Sequence, residues 1–194
     1  MHICFGRDKM SSSIKPDTQK AIDLYLTAAE NGDSSAYFNL GLMYFKGQGV
    51  PKDKEKAVEY YEKASQQGNA RAQFNLGLMY SKGDGVQVDK QKAAEYYELA
   101  ANQGNAKAQS NLGFMYASGD GVEQNYARAI ELYEQASAQE DSDAQLNLGL
   151  MYDQGEGVPV DKTKAIELYT QSSKNGNIKA MFNLAYLYHK GEPG

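Results

Sequence analysis

The sequence repeats every 36 residues, and this period constrains the fold more than any other feature of the chain. An Asn followed by Leu, a Tyr and a Gly each recur five times at that step, with no insertion or deletion between copies. The recurring positions are Asn39, Asn75, Asn111, Asn147 and Asn183; Tyr44, Tyr80, Tyr116, Tyr152 and Tyr188; and Gly47, Gly83, Gly119, Gly155 and Gly191. Four complete units therefore occupy 33–68, 69–104, 105–140 and 141–176.

Half units at 17–32 and 177–194 flank the complete ones, so we interpret 17–194 as a single repeat domain. We interpret residues 1–16 as a leader that is disordered or left over from expression. The C-terminal half unit ends inside the loop that should lead to a further helix. We therefore expect either that the native protein continues or that another molecule covers the last helix, whose core positions are Ala180, Leu184, Leu187 and Tyr188.

Each unit predicts two helices separated by a Gly-rich loop. The apolar residues of the first helix follow a spacing of three and four, as in Ala72, Leu76, Met79 and Tyr80. Gly83 then stops the helix, since Gly adopts positive φ at little cost. Asp89 is a typical N-cap for the second helix, whose predicted buried face contains Ala93, Tyr97 and Ala100. One unit cannot bury both faces alone, which favours a stacked array.

The motif A-Q-F-N-L-G-L-M-Y-x-x-G-x-G-V, followed by D-x-x-K-A-x-x-Y-Y-x-x-A and a closing Gly, resembles the Sel-one-like repeat, a relative of the tetratricopeptide repeat. The resemblance covers roughly residues 17–192. It implies an all-α fold, a right-handed superhelical solenoid of antiparallel helix pairs, with a scaffold or adaptor role and a concave face lined by the first helices. Four residues depart from the motif, namely Glu140 for the closing Gly, Ala185, Leu187 and Pro193.

Composition excludes several classes of function. One Cys, Cys4, excludes an internal disulfide framework and a multi-Cys zinc site, and the two His residues lie near opposite ends of the chain. We therefore expect no cofactor, no metal site and no catalytic residue. A net charge of −5 argues against general nucleic-acid binding. No apolar run approaches the length of a membrane span. The N-terminus lacks the apolar stretch of a signal peptide, which predicts a cytoplasmic protein unless a signal was removed.

The residues that vary between units are the candidates for binding. By analogy with tetratricopeptide grooves, five positions of each first helix face the concave surface. Their apolar and aromatic members include Phe38, Leu42, Phe45, Phe74, Leu78, Phe114, Phe182 and Tyr186. The cations at the edges include Lys46, Arg71, Lys82 and Lys107. A net acidic chain thus presents a basic, aromatic groove, which predicts a protein or peptide partner that is acidic and has apolar anchors. The alternative is that these aromatic side chains only pack against the next unit.

The other repeated polar and aromatic residues have a structural interpretation. We expect the Asn of each first helix to bond backbone groups, with a ligand clamp as the alternative. We expect the Tyr series of the first helices to form core, and likewise the Tyr series of the second helices, which is Tyr25, Tyr61, Tyr97, Tyr133 and Tyr169. The predicted function is a non-catalytic protein-interaction scaffold. A self-assembling structural array, with end-to-end contact through the last helix, is the main alternative. A hydrolase related to Cys-rich members of the family is a weaker one, because this chain has no Cys within its repeats.

Overall fold

The computed structural model describes residues 14–191, and most of the proposed leader lies outside them. Within the described range the chain forms ten α-helices and no strand. Their bounds are α1 Pro16–Glu30, α2 Ser34–Lys46, α3 Lys54–Gln66, α4 Ala70–Lys82, α5 Lys90–Ala101, α6 Ala106–Ser118, α7 Tyr126–Ser137, α8 Ser142–Gln154, α9 Lys162–Lys174 and α10 Ile178–His189. Each helix packs against the next, and the first helices α4, α6 and α8 also touch one another. The predicted all-α solenoid is confirmed.

The helix boundaries follow from capping side chains. The second helices of the four complete units each begin after an Asp or Asn whose side chain accepts a hydrogen bond from a backbone N–H three residues on, as Asp89 does from Lys92. First helices from α4 to α10 use an Asn or Asp in the same way. At the other end of α4, Gly83 adopts a left-handed conformation with φ of 76° and closes the helix. These local signals define both ends of the first helices α2, α4, α6 and α8.

A Gly inside each first helix lets the second helix come close. A Cβ at Gly77 would lie 2.5 Å from the ring of Tyr97, which is far inside van der Waals contact. The same clash would occur at Gly41, Gly113 and Gly149, against Tyr61, Tyr133 and Tyr169. These four Tyr residues are at most 3% exposed, so the prediction that this series forms core is confirmed. Each ring therefore lies directly on the backbone of its partner helix.

The turn between units needs a positive φ, and one unit achieves it without Gly. Gly104 closes the second unit with φ of 82° and has open space where a side chain would be. Glu140 occupies the equivalent position and has φ of 62°, unlike every other non-Gly residue described in 14–191. The turn geometry is therefore the same in both units, and Glu140 adopts a conformation that L-residues disfavour.

Ion pairs join neighbouring units at a constant separation. Lys54 and Lys90 begin second helices, and each pairs with an Asp in the loop of the following unit, Asp84 and Asp120. Lys92 and Arg128 occupy equivalent positions of two second helices, but they have different partners. Arg128 pairs with Glu131 three residues on, whereas Lys92 lies 4.2 Å from the centre of the Tyr80 ring and donates to its hydroxyl.

The last helix is better covered than the sequence suggests. Ala180 and Leu187 are buried against α9, and Leu184 is half-buried. Tyr188 is 56% exposed, because this Tyr series packs against the second helix of its own unit and no described helix follows α10. The expectation that all four core positions of α10 are open is therefore wrong for Ala180 and Leu187, and it holds for Tyr188.

Candidate functional site

The first helices α2, α4, α6, α8 and α10 present a row of side chains that we call the first-helix groove. It is defined by the residues at the variable positions of these helices. Two stretches of the groove contain cavities, one between α2 and α4 and the other from α6 to α10. Side chains two residues apart on a helix point in roughly opposite directions, so the groove uses only one face of each first helix.

The N-terminal cavity brings together predicted residues from two successive units. It encloses about 260 Å³ and is lined by Leu42, Phe45, Lys46, Leu78 and Lys82. Tyr61, Asn75, Met79 and Asp84 complete its wall. These last four residues were not predicted as binding residues, although the constant spacing of 14 residues between Tyr61 and Asn75 recurs in every unit and could have indicated that they meet. The cavity therefore combines an apolar floor with two ammonium groups and an amide.

The hydroxyl of Tyr61 is the unusual polar group of this cavity. It is buried, and among the described residues it makes no hydrogen bond. Burial raises the pKa of the Tyr61 phenol, while the nearby Asn75 amide and the Arg71 guanidinium act in the opposite direction. Asn75 thus lies beside the hydroxyl without reaching hydrogen-bonding geometry. A buried hydroxyl without a partner carries a desolvation cost of about 1–3 kcal/mol.

The equivalent hydroxyls of Tyr97 and Tyr169 have a second polar side chain nearby. Burial raises the pKa of Tyr97 to about 12, and the neighbouring Asn111 and Ser81 side chains act against that rise. Burial also raises the pKa of Tyr169, and the charge of Asp153 raises it further. Phe45 holds the position of Ser81 and Asp153 in the first unit, and it has no polar atom to offer Tyr61. The side chain of the repeated Asn therefore lies beside the Tyr hydroxyl of the preceding unit, and among the described residues the expected hydrogen bonds to backbone groups are not found.

Two of the predicted aromatic residues lie deeper than expected. Phe38 is 4% exposed, because its ring packs 5.7 Å from the Tyr61 ring and the Arg71 guanidinium covers it at 4.3 Å. Phe74 is half-buried with its ring 6.1 Å from that of Tyr97. Phe38 therefore supports the wall of the groove and offers no face to a partner, whereas the exposed Arg71 lies above it.

The cations of the groove lie mainly over α2 and α4. Lys46, Arg71 and Lys82 are exposed, and in the part of the chain that the structure describes they form no ion pair. Lys107 differs, because its ammonium lies 2.9 Å from a carboxylate oxygen of Asp141 and 3.4 Å from one of Asp143. The predicted basic edge is therefore interrupted at the third unit, and the exposed Lys179 of α10 adds a cation at the other end of the groove.

The C-terminal half of the groove is open and exposes aromatic side chains among polar ones, including Asp143, Asn177 and Lys179. Phe114 is 54% exposed and lines two cavities, of about 570 and 200 Å³. Phe182 is 72% exposed and lines a third, of about 420 Å³, together with Leu146 and Leu150. Tyr186 is half exposed beneath the ammonium of Lys190, which lies 4.7 Å from its ring centre. This end of the groove offers aromatic surface with little net charge.

Among residues 14–191, no group of three or more His, Cys, Asp or Glu side chains is placed to hold a metal ion. None of the helices described there combines the length and the apolarity that crossing a bilayer requires.

Solved structures with the same architecture come from several bacteria. A protective antigen of uropathogenic Escherichia coli that displays an SLR fold is 38% identical over 88% of this chain, with a TM-score of 0.84. This chain spans about a third of that protein, since the match covers 36% of it. A Sel1 repeat protein from Oxalobacter formigenes is 35% identical, with a TM-score of 0.77; the match covers 89% of this chain and 73% of that one.

A third structure, Helicobacter pylori cysteine rich protein B, is 28% identical with a TM-score of 0.53, and the match covers 68% of this chain and 95% of that one. A search of the curated proteins gave no match. The family profile described as Sel1 repeat matches residues 6–33, 34–69, 70–105, 106–141, 142–177 and 178–194. The repeat motif, the stacked helix pairs and these matches agree, and the chain belongs to the Sel1 repeat family.

Proposed function

We propose that the protein is a non-catalytic interaction scaffold that binds an acidic segment of a partner protein, with apolar anchors, in its first-helix groove. Proteins of the Sel1 repeat family are generally interaction modules, and the particular partner class is our inference. The N-terminal cavity carries the proposal, because Lys46 and Lys82 flank an apolar floor formed by Leu42 and Leu78. An aliphatic or aromatic anchor fits this floor, and a neighbouring carboxylate would meet the two ammonium groups.

The position of the basic residues supports a direction for the bound segment. Lys46, Arg71 and Lys82 lie at the N-terminal end of the groove, whereas Phe114 and Phe182 line cavities further along, whose walls include both Asp143 and Lys179. We propose that the acidic part of the partner lies over α2 and α4, and that apolar side chains follow over α6 to α10. Lys107 is left out of this arrangement, since Asp141 and Asp143 already neutralise it.

A peptide experiment tests the proposal. Fluorescein-labelled peptides of 12 residues that combine Glu or Asp with Leu or Phe would be screened on the full chain by anisotropy at several salt concentrations. We expect Lys46→Glu/Lys82→Glu to weaken binding by about tenfold or more and to reduce its dependence on salt. The control, Lys20→Glu/Lys174→Glu, changes the net charge equally on exposed residues of α1 and α9. The proposal would be refuted if both double variants lost the same affinity for the peptide, or if Lys46→Glu/Lys82→Glu lost none.

A structural role in self-association is the second candidate, because α10 exposes a large apolar surface. Ile178 is 79% exposed, Met181 46% and Tyr188 56%. Met181 replaces a Gln that is buried in the three preceding units, so this face of α10 is unusually apolar. We propose that the chain associates end to end through Met181 and Tyr188.

A further inference from the structure

A second groove lies on the opposite side of α6 from the first-helix groove. Leu112 and Tyr116 line it, whereas Phe114, two residues from each of them, lines cavities of the first-helix groove. We call it the lateral groove and define it by Ala94, Leu99, Leu112, Tyr116 and Val122. It is open, encloses about 900 Å³ and lies between α5 and the loop that follows α6. Its volume is within the range typical of ligand sites.

The lateral groove has a floor that is specific to one unit. Leu112, Tyr116 and Val122 are the residues that the other complete units also have at these positions. Ala94 is smaller than the equivalent residues of the other units, which are Ile22, Val58, Ile130 and Ile166. The missing methyl and methylene groups leave space beside Tyr116. In the preceding unit, Tyr80 has Val58 at this position and its hydroxyl is bonded to Glu62 and Lys92.

One wall of the lateral groove is also exceptional. Leu99 is 47% exposed and apolar, whereas the equivalent residues of the other units are the polar Thr27, Lys63, Gln135 and Gln171. Packing within the array does not require an apolar side chain at this position, since four units do without one. Leu99 therefore enlarges an apolar surface that solvent reaches, and it does so next to the space that Ala94 leaves.

The rim of the lateral groove is acidic. Glu95, Glu98 and Glu123 surround it, and Glu123 stands where other units have Pro or Gln. Glu98 is neutralised by Arg128 at 2.8 Å. For Glu95 and Glu123 the structure has no ion pair within the range it describes. Two free carboxylates beside an apolar cleft attract a cationic ligand, in contrast to the basic N-terminal half of the first-helix groove.

We propose that the lateral groove is a second protein-binding site, which takes a basic segment of a partner. A branched aliphatic side chain of that segment occupies the space above Ala94 and contacts Leu99 and Tyr116. Lys or Arg residues next to it pair with Glu95 and Glu123. This site is independent of the proposed function, because its charge is of the opposite sign and it uses the other face of α6.

The groove itself can be tested with small probes and the ¹⁵N-labelled full chain. Cyclohexylmethylammonium combines an aliphatic ring with a cation, and cyclohexylmethanol and cyclohexylacetate are its neutral and anionic counterparts. We expect the cation to shift amide signals of residues 94–99 and 121–123, the alcohol to bind more weakly and the anion not to bind there. Equal binding of the cation and the anion, or shifts elsewhere only, would overturn the proposal.

Variants that restore the residues of other units give the sharpest comparison. Ala94→Ile fills the space, and Val58→Ile is the matched control because it makes a similar change in another unit. Glu123→Gln removes a charge with the residue that the second unit has at Gln87. We expect Ala94→Ile to weaken binding of the cation by about fivefold or more, and Glu123→Gln to weaken it by about twofold or more. The Val58→Ile variant should bind the cation as tightly as the parent chain does. Circular dichroism checks that each variant remains folded.

The class of partner is tested with two labelled peptides, one with Leu between two pairs of Arg and one with Glu in place of Arg. We expect the basic peptide to bind and Ala94→Ile to abolish its binding, whereas Lys46→Glu/Lys82→Glu leaves it intact. Binding that survives Ala94→Ile, or that is lost equally in the Lys46→Glu/Lys82→Glu variant, would exclude the lateral groove. If Ala94→Ile instead dissociates an oligomer of the chain, a second copy is the occupant and the proposal of a basic partner is wrong.

Discussion

At the scale of single residues, the array tolerates exceptions where the backbone leaves room for a side chain. Glu140 shows this most clearly, because its φ of 62° matches the Gly residues that close the other units. No atom outside the turn would contact a Cβ at Gly68, Gly104 or Gly176. The cost of Glu140 is therefore conformational and not steric. The strain is confined to the turn, and the packing of the adjoining helices is unchanged.

Replacing Glu140 with Gly should stabilise the protein by about 1 kcal/mol, since an L-residue in the left-handed region costs roughly that amount. Urea unfolding followed by circular dichroism would measure the change in the free energy of unfolding. Gly104→Glu is the reverse change in the preceding unit and should destabilise by a similar amount. Glu140→Gln separates charge from conformation and should have little effect. A Glu140→Gly variant less stable than the parent chain would contradict this account.

At the scale of helices, the spacing within each unit depends on one Gly and one Tyr. The ring of Tyr97 occupies the place that a side chain at position 77 would need, and the same arrangement recurs in all four complete units. The amide of the following unit's Asn then lies beside the Tyr hydroxyl. Each contact therefore ties a second helix both to its own first helix and to the next unit.

Gly77→Ala should destabilise the protein by about 1–3 kcal/mol, because the added methyl group meets the Tyr97 ring at 2.5 Å. The loss should be smaller by about 1 kcal/mol in a Tyr97→Leu background, where the ring is absent. A double-mutant cycle in urea would measure this coupling. Additive losses would mean that the helix backbone, and not the ring, opposes the methyl group.

At the scale of the whole molecule, charge and exposed apolar surface are distributed unevenly along the array. Unpaired cations lie over α2 and α4, free carboxylates rim the lateral groove, and apolar side chains are exposed on α10. A sequence-wide net charge of −5 conceals this separation. Two grooves of opposite sign allow one array to hold two different partners, which is the usual advantage of an extended scaffold.

The open face of α10 should make the chain associate at high concentration. Met181→Lys/Tyr188→Lys should abolish that association, since both side chains are exposed where earlier units have a covering helix. Leu187 is unsuitable for this test because it is buried. Sedimentation equilibrium would measure the oligomeric state, with Val88→Lys/Val160→Lys as a control on exposed apolar residues elsewhere. A parent chain that stays monomeric throughout would rule out the contact.

The sequence predicted the helix pairs and their caps and singled out Glu140 as a departure from the closing Gly, because each depends on local residues at a fixed period. It predicted less of the binding surface. The burial of Phe38 depends on Arg71, one unit away, and the neutralisation of Lys107 depends on Asp141 of the following unit. The small residue Ala94 was present in the sequence, yet its effect requires knowing that it faces Tyr116. Contacts between units therefore limit what periodicity alone can reveal.

The constant step of the ion pairs between units has a consequence for how such a chain changes in length. If genetic recombination slipped by one period and removed residues 69–104, Lys54 would face Asp120 in place of Asp84. The new joint would have the same signs of charge as the old ones, and the Gly-on-Tyr contacts inside the remaining units would be unaffected. Gene copies can therefore gain or lose whole periods without a mismatched junction. Such a deletion would remove the residues that distinguish one unit from the others, because Ala94 and Leu99 lie within the deleted period.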